Sequence, residues 1–267
     1  MATLELQGKW ALVTGASAGI GTALARDLAR RGANLVLTAR RLDRLNALAA
    51  ELRSQGREVL TISADLNQRE APQVLYAATE GAGIAIDILV NNAGLGQYGS
   101  FRSCDLEQEL TQIRVNCEAV VHITRLFVPK MVARRRGWIL LVASTASFQP
   151  VPFLTTYAAT KGFDRYFALG LAEELAPFGI NVAALCPGPT ESEFFEVAHA
   201  QQFRGRIVQS AEVVARKAID ALLRGQRTII PYFSGWISAL AVRLVPTGFI
   251  TWFVAKAARP KDDLPQL

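Results

Sequence analysis

Short runs of consecutive apolar residues recur along the chain, and each is followed or preceded by a stretch with helical periodicity. Trp138-Ile139-Leu140-Leu141-Val142 is the clearest run. A strand with one wet face alternates apolar and polar residues. A run that is apolar at every position must be buried on both faces. Strand candidates lie at 10–14, 34–38, 58–62, 86–90, 137–143, 179–184 and 227–230. Helical patterns lie at 19–31, 41–55, 67–80, 104–134, 154–177 and 211–224. Repeated β–α units with short links predict an α/β fold: a Rossmann-type doubly wound parallel sheet covered by helices on both faces.

The length of 267 residues would hold one α/β domain or two small ones, and a hydrophobic share of 51% supplies a sizeable core. No linker, repeat or low-complexity stretch interrupts the pattern before about residue 232. The expected organisation is therefore a single domain over 1–231, with 232–267 as a helical, hydrophobic C-terminal extension of it.

Cys104, Cys117 and Cys186 have no metal-like spacing and read as reduced thiols of a cytoplasmic protein. Only His122 and His199 are present, which weighs against a histidine metal site or a Ser/His/Asp triad, so no metal is expected. The first strand begins near Lys9, which leaves no room for a secretory leader, and no run of eighteen apolar residues occurs. The net charge is +6, with a basic run at Arg134-Arg135-Arg136. Such a run reads either as a nucleic-acid surface or as a solvated helix end. The lack of an aromatic-interleaved basic stripe favours the second, and no nucleic-acid partner is expected. A basic balance also suits an anionic cofactor or an acidic membrane surface.

Thr14-Gly15-Ala16-Ser17-Ala18-Gly19-Ile20-Gly21 follows the first strand and opens the first helix. Glycines there allow a tight turn and close approach of backbone to a pyrophosphate, which then faces free N–H groups at the helix N-terminus. Gly15, Ser17, Ala18, Gly19, Ile20 and Gly21 are the candidate contacts. The second strand ends Leu37-Thr38-Ala39-Arg40-Arg41. An acidic residue here would bind the ribose hydroxyls and repel a 2′-phosphate. Arginine instead makes bidentate, charge-assisted bonds to phosphate. Arg40 and Arg41 thus favour NADP(H), with NAD(H) as the alternative if they only begin an exposed helix. Asp65-Leu66, after the third strand, is placed to meet the adenine ring. Asn92, Ala93 and Gly94, in Asn91-Asn92-Ala93-Gly94 after the fourth strand, can pack beside the cofactor and tie neighbouring strands together.

Tyr157 and Lys161 are four residues apart, on one face of a helix, and Ser144 lies thirteen residues before the tyrosine. An ammonium a few ångströms from a phenol favours the phenolate, so the pair is expected to bring the tyrosine pKa closer to neutral.

Taken in order, the Thr-Gly-x-x-x-Gly-x-Gly turn at 14–21, Asp65, the Asn-Asn-Ala-Gly at 91–94, Asn116, Ser144, Tyr157, Lys161 and Pro187-Gly188 resemble the short-chain dehydrogenase/reductase family, in its single-domain branch. The resemblance covers the chain to about residue 195. It implies that Tyr157 exchanges a proton with a carbonyl or alcohol oxygen and that Ser144 hydrogen-bonds that oxygen. It implies that Lys161 binds the nicotinamide ribose and lowers the tyrosine pKa. Asn116 would hold a water linking Lys161 to solvent, Pro187 and Gly188 would contact the cofactor, and Thr190 would bind the nicotinamide carboxamide. One departure is Ala18, where some NADP-using members carry a basic residue, so cofactor preference rests on Arg40 and Arg41.

Glu191-Ser192-Glu193-Phe194-Phe195 begins a segment to about Arg206 that is expected to close over the site. Phe148, Pro150, Val151, Pro152, Phe153 and Leu154 would form an apolar wall for a lipophilic carbonyl or alcohol substrate; ordinary packing of the lid is the competing reading. In 233–257 the large apolar residues recur at roughly helical spacing, split by Pro246 and Gly248. Two short amphipathic helices are expected. They would pack across a subunit interface of a dimer or tetramer, cover the pocket, or lie on an anionic membrane surface. The function expected is an NADP(H)-dependent oxidoreductase of a carbonyl/alcohol pair. The alternatives are a cofactor sensor without turnover, or an epimerase or dehydratase using the same site.

Overall fold

The structure, a computed structural model, describes residues 6–200 and 208–260. Seven parallel strands form one sheet: β1 Trp10–Thr14, β2 Asn34–Ala39, β3 Val59–Ser63, β4 Ile86–Asn91, β5 Gly137–Val142, β6 Ile180–Leu185 and β7 Thr228–Ile229. Their spatial order is β3-β2-β1-β4-β5-β6-β7. The chain reverses direction across the sheet between β1 and β4, and in open α/β sheets the crevice beyond the strand ends at such a point binds ligands.

The apolar runs become strands because both of their faces find cover. Leu140 and Val142 of β5 face one core cluster, and Ile139 and Leu141 face the other. Helices α1 (Gly19–Arg30), α2 (Leu42–Ser54) and, later in the chain, α8 (Ala211–Leu223) cover the first side. Helices α3 (Ala71–Ala77), α4 (Leu106–Ile113), α5 (Ala119–Arg134) and α6 (Thr155–Leu175) lie in the intervening crossovers, and α3, α5 and α6 contribute residues to the second core. Full burial of one such Leu or Ile side chain is worth about 1.5–3 kcal/mol.

Two helical expectations change in detail. The third helix begins at Ala71 rather than 67, because residues after Asp65 close a turn (Gln68 N to Asp65 O, 2.9 Å) and Pro72 sits at the helix start, where its missing N–H costs nothing. The pattern over 104–134 is one helical path that widens to a π-turn at Arg114–Glu118, around Asn116. Single wide turns of this kind are frequent at functional sites. Asp105 caps its start by accepting from Gln108 N at 2.9 Å.

After β6 the segment opens into a short helix, α7 (Phe194–Val197); the remainder of the expected lid, through Arg206, lies mostly outside the described residues. The extension forms two helices, α9 (Phe233–Leu244) and α10 (Thr247–Ala258). Its inner side reaches the central cavity through Gly235, Ala239, Val242 and Val254, and Tyr98 OH donates to Ala258 O at 2.8 Å. Phe233, Trp236, Leu240, Leu244, Trp252 and Phe253 are exposed on the outside. Among the described residues no helix is long and apolar enough to cross a membrane.

Candidate active site

A cavity of about 770 Å³ runs along the C-terminal ends of the strands. Every catalytic or cofactor-binding candidate read from the sequence lines it except Gly21 and Asn116. At one end lies the glycine turn. Gly15 and Gly19 take positive φ (+66° and +53°), which side chains rarely tolerate. A Cβ on Gly21 would fall 2.3 Å from Gly15 O, so the turn closes only if residue 21 has none. The first turn of α1 has no side-chain cap and no acidic residue, leaving its N–H groups free for an anion.

The turn is braced from β4. Asn92 Nδ2 donates to Thr14 O at 2.8 Å and to Gly15 O at 3.2 Å. Thr14 Oγ1 donates to Val90 O and accepts from the N–H groups of Asn92 and Ala93. The amides of 91–94 therefore do tie neighbouring strands together. Asp65, Leu66 and Asn67 line the next part of the wall, and Arg40 and Arg41 stand at its mouth. A long groove with a glycine turn, an uncapped helix start and two arginines at the far end fits a phosphorylated dinucleotide.

At the other end Ser144, Tyr157 and Lys161 converge. Ser144 follows β5, and its Oγ accepts from Ala146 N at 3.1 Å. Its side chain acts on Tyr157 in the direction of a lower phenol pKa. Lys161, one turn along α6, donates to Val142 O at 2.7 Å and to Asp164 Oδ2 at 3.0 Å. These bonds fix the ammonium 6.0 Å from the Tyr157 ring centre. Gly94 keeps the space above it open, since a Cβ there would lie 3.2 Å from Lys161 Nζ.

The electrostatics correct one expectation. Burial pushes the Tyr157 phenol up, and although Lys161 and Ser144 pull it down, its pKa stays above the ordinary tyrosine value. Asp164, three residues beyond the lysine, adds to the rise. The lysine does act in the expected direction, but its charge is shared with a carboxylate that the sequence reading missed. Burial opposes the Lys161 charge, yet Asp164 and Tyr157 hold its pKa above the ordinary lysine value. The i, i+3 spacing of Lys161 and Asp164 was the available signal.

Asn116 is fully buried and does not reach the cavity. Its amide donates to Leu95 O and to Thr160 Oγ1, both at 2.9 Å, and its Oδ1 accepts from Leu95 N at 2.9 Å. It braces the chain after Gly94 against the helix carrying Tyr157 and Lys161. Pro187, Gly188 and Thr190 border the cavity as expected, with Thr190 Oγ1 donating to Gly188 O at 2.9 Å.

Phe148, Val151 and Leu154 of the predicted wall line the cavity, whereas Pro150, Pro152 and Phe153 do not. The wall gains Phe194, Phe195 and Val197 from the segment after β6. The Phe194 ring lies 4.9 Å from that of Tyr157. Glu193, its neighbour, forms ion pairs with Arg41 (2.7 Å) and Arg44 (2.5 Å). Nothing in the sequence pattern couples these distant positions.

Comparison with known proteins places this geometry. The family model described as short chain dehydrogenase matches residues 9–202. The chain is 41% identical over 187 residues to very-long-chain 3-oxoacyl-CoA reductase-A of Danio rerio, covering 67% of this chain and 57% of that protein. It is 38% identical over 182 residues to very-long-chain 3-oxoacyl-CoA reductase of Podospora anserina, covering 66% and 53%. The matched region thus spans somewhat over half the length of these relatives. Among solved structures, a short-chain dehydrogenase from Sphingobium yanoikuyae in complex with NADPH superposes with a TM-score of 0.81 at 30% identity, over 97% of this chain and 99% of that one. A 3-oxoacyl (acyl-carrier-protein) reductase from Agrobacterium tumefaciens with NADP bound gives 0.76 at 26% identity, over 85% and 94%.

Proposed function

Because the chain belongs to the short-chain dehydrogenase family, we propose that it is an NADP(H)-dependent oxidoreductase that interconverts a carbonyl and an alcohol on a lipophilic molecule of the 3-oxoacyl kind. The observation that carries this reading is the meeting of Ser144, Tyr157 and Lys161 at one end of a cavity whose other end holds the glycine turn and the arginines. Relatives named as 3-oxoacyl-CoA reductases and neighbours bound to NADP(H) support the substrate and cofactor classes.

Gly15, Ser17, Ala18, Gly19 and Ile20 would hold the pyrophosphate, with Gly21 closing the turn behind them. Arg40 and Arg41 would meet the 2′-phosphate; Asp65 and Leu66 would meet the adenine. Asn92, Ala93, Gly94, Pro187, Gly188 and Thr190 would border the nicotinamide half. When bound, the reduced nicotinamide supplies the hydride equivalent. Ser144 then hydrogen-bonds the carbonyl oxygen and stabilises the negative charge that grows on it. Tyr157 delivers its proton to the same oxygen. Reduction draws on the protonated form of the Tyr157 phenol. Lys161 stabilises the phenolate left behind, and Asn116 keeps the helix and the Gly94 loop in register. Phe148, Val151, Leu154 and the inner side of α9–α10 would take the apolar body of the substrate.

A panel of 3-oxoacyl thioesters, steroid-like ketones and aromatic ketones, followed by NADPH absorbance, tests this reading. Turnover of lipophilic ketones that Tyr157→Phe lowers by about 10²–10⁴, with NADPH affinity retained, is expected. Retention of more than half of the wild-type kcat in Tyr157→Phe would remove the tyrosine from the chemistry.

A further inference from the structure

Three consecutive residues after β6 touch three parts of the site. Ser192 lies over the glycine turn: a Cβ on Gly19 would come within 2.8 Å of Ser192 Cβ. Glu193 reaches the arginines at the cavity mouth, with Oε2 2.7 Å from Arg41 Nη1 and Oε1 2.5 Å from Arg44 Nη1. Phe194 rests against Tyr157 at 4.9 Å between ring centres and packs over Gly96. The remaining donors of Arg41, Nε and Nη2, go to Ser17 Oγ at 3.3 and 3.1 Å.

A carboxylate held by two guanidinium groups has the donor pattern of a bound phosphate: anionic oxygens, each meeting a planar cation. A phosphate entering between Arg41 and Arg44 would bring its negative charge against the Glu193 carboxylate and compete with it for the same guanidinium groups, so the two anions disfavour one another. We propose that Glu193 is an internal stand-in for the 2′-phosphate, one that the phosphate displaces on binding, and that its release lifts Phe194 off Tyr157. The proposal rests on the NADP(H) reading of Arg41. It adds Arg44 to the phosphate site, makes Glu193 a determinant of cofactor affinity, and gives a physical reason for cofactor to bind before the carbonyl.

The magnitudes permit exchange. Both arginines and the glutamate are partly exposed (40%, 44% and 38% for the side chains), and ion pairs in that setting contribute little individually. A dianionic phosphate can therefore replace one carboxylate, whereas a buried pair would resist. The guanidinium groups hold the Glu193 carboxyl below the usual carboxylate range, Arg44 first and Arg41 second, so it is a full anion at neutral pH.

Calorimetric titration of the full chain with 2′,5′-ADP and with 5′-AMP reads the phosphate site without nicotinamide or turnover. Glu193→Gln, and Glu193→Ala as a second variant, should tighten 2′,5′-ADP by about three- to tenfold, the scale of two exposed ion pairs, and leave 5′-AMP unchanged. Chymotryptic cleavage at Phe194 or Phe195 should quicken when 2′,5′-ADP, but not 5′-AMP, is added to the wild type, and should be quick in both variants without nucleotide. A wild type that binds the two nucleotides equally would overturn the NADP(H) reading itself. A wild type that prefers 2′,5′-ADP, with variants that bind it no tighter, would overturn the stand-in alone. Cleavage indifferent to 2′,5′-ADP would overturn the link to Tyr157.

Discussion

Nζ of Lys161 donates to Oδ2 of Asp164 at 3.0 Å, three residues further along α6, with both side chains buried. The lysine that is to tune Tyr157 thus carries its own counter-ion. Asp164 Oδ1 has no hydrogen-bond partner among the described residues, so the carboxylate is held mainly by that one contact. Removing half of a buried pair leaves the other charge uncompensated.

The sign of the effect on catalysis follows from the charges. Burial raises the Tyr157 pKa most, Lys161 and Ser144 lower it, and Asp164 raises it. In Asp164→Asn the upward push of the carboxylate is gone while Lys161 remains, so the phenol should ionise at lower pH. Reduction needs the protonated phenol. The basic limb of the kcat–pH profile should therefore move toward acid. A variant with lower kcat but an unmoved limb would make Asp164 a packing residue only.

The second expectation concerns the cavity mouth. Arg40 and Arg41 both border the cavity, and each charge-assisted phosphate bond contributes roughly 1.5–3 kcal/mol. Replacing both by Ala should lower kcat/KM for NADPH far more than for NADH, by about tenfold or more for each such bond removed. Equal losses with the two cofactors would show that these side chains do not read the 2′-phosphate.

The glycine turn gives a steric test. A methyl at residue 21 would meet Gly15 O at 2.3 Å and Asn92 Nδ2 at 2.5 Å, and the first of these is backbone that moves only if the turn opens. Gly21→Ala should cost about 1–3 kcal/mol in urea unfolding, the usual range for overpacking, and should also weaken NADPH binding. At Gly170, within α6, a methyl would meet nothing within 4 Å; Gly170→Ala should instead stabilise by about 0.5–1 kcal/mol. Similar behaviour of the two variants would contradict the assigned packing of the turn.

The fourth prediction concerns the extension. Because Gly235, Ala239, Val242 and Val254 border the cavity, ending the chain after Tyr232 should raise KM for a lipophilic ketone while the NADPH dissociation constant stays within about twofold, less than about 0.5 kcal/mol. Unchanged KM in the shortened protein would assign α9 and α10 to another surface.

The elements of the sheet were legible from residue order because their causes are local. Continuous apolar runs gave the strands to within about a residue, and the 3.6-residue period gave the helices. The exception was α3, where Pro72 and the Asp65 turn moved the start. The glycine turn and the Tyr157–Lys161 pair were legible for the same reason: each is a short-range pattern on a single connection or helix face. Tertiary structure decided the rest. Glu193 meets Arg41 across 152 residues and Arg44 across 149, and no periodicity relates positions that far apart. The net direction of the Tyr157 shift depends on burial, which outweighs the adjacent ammonium and exists only once the core has closed over α6. The amphipathic spacing of 233–257 fixed that two helices would form; only the packed fold decided that their small inner residues, rather than their tryptophans, would face the cavity.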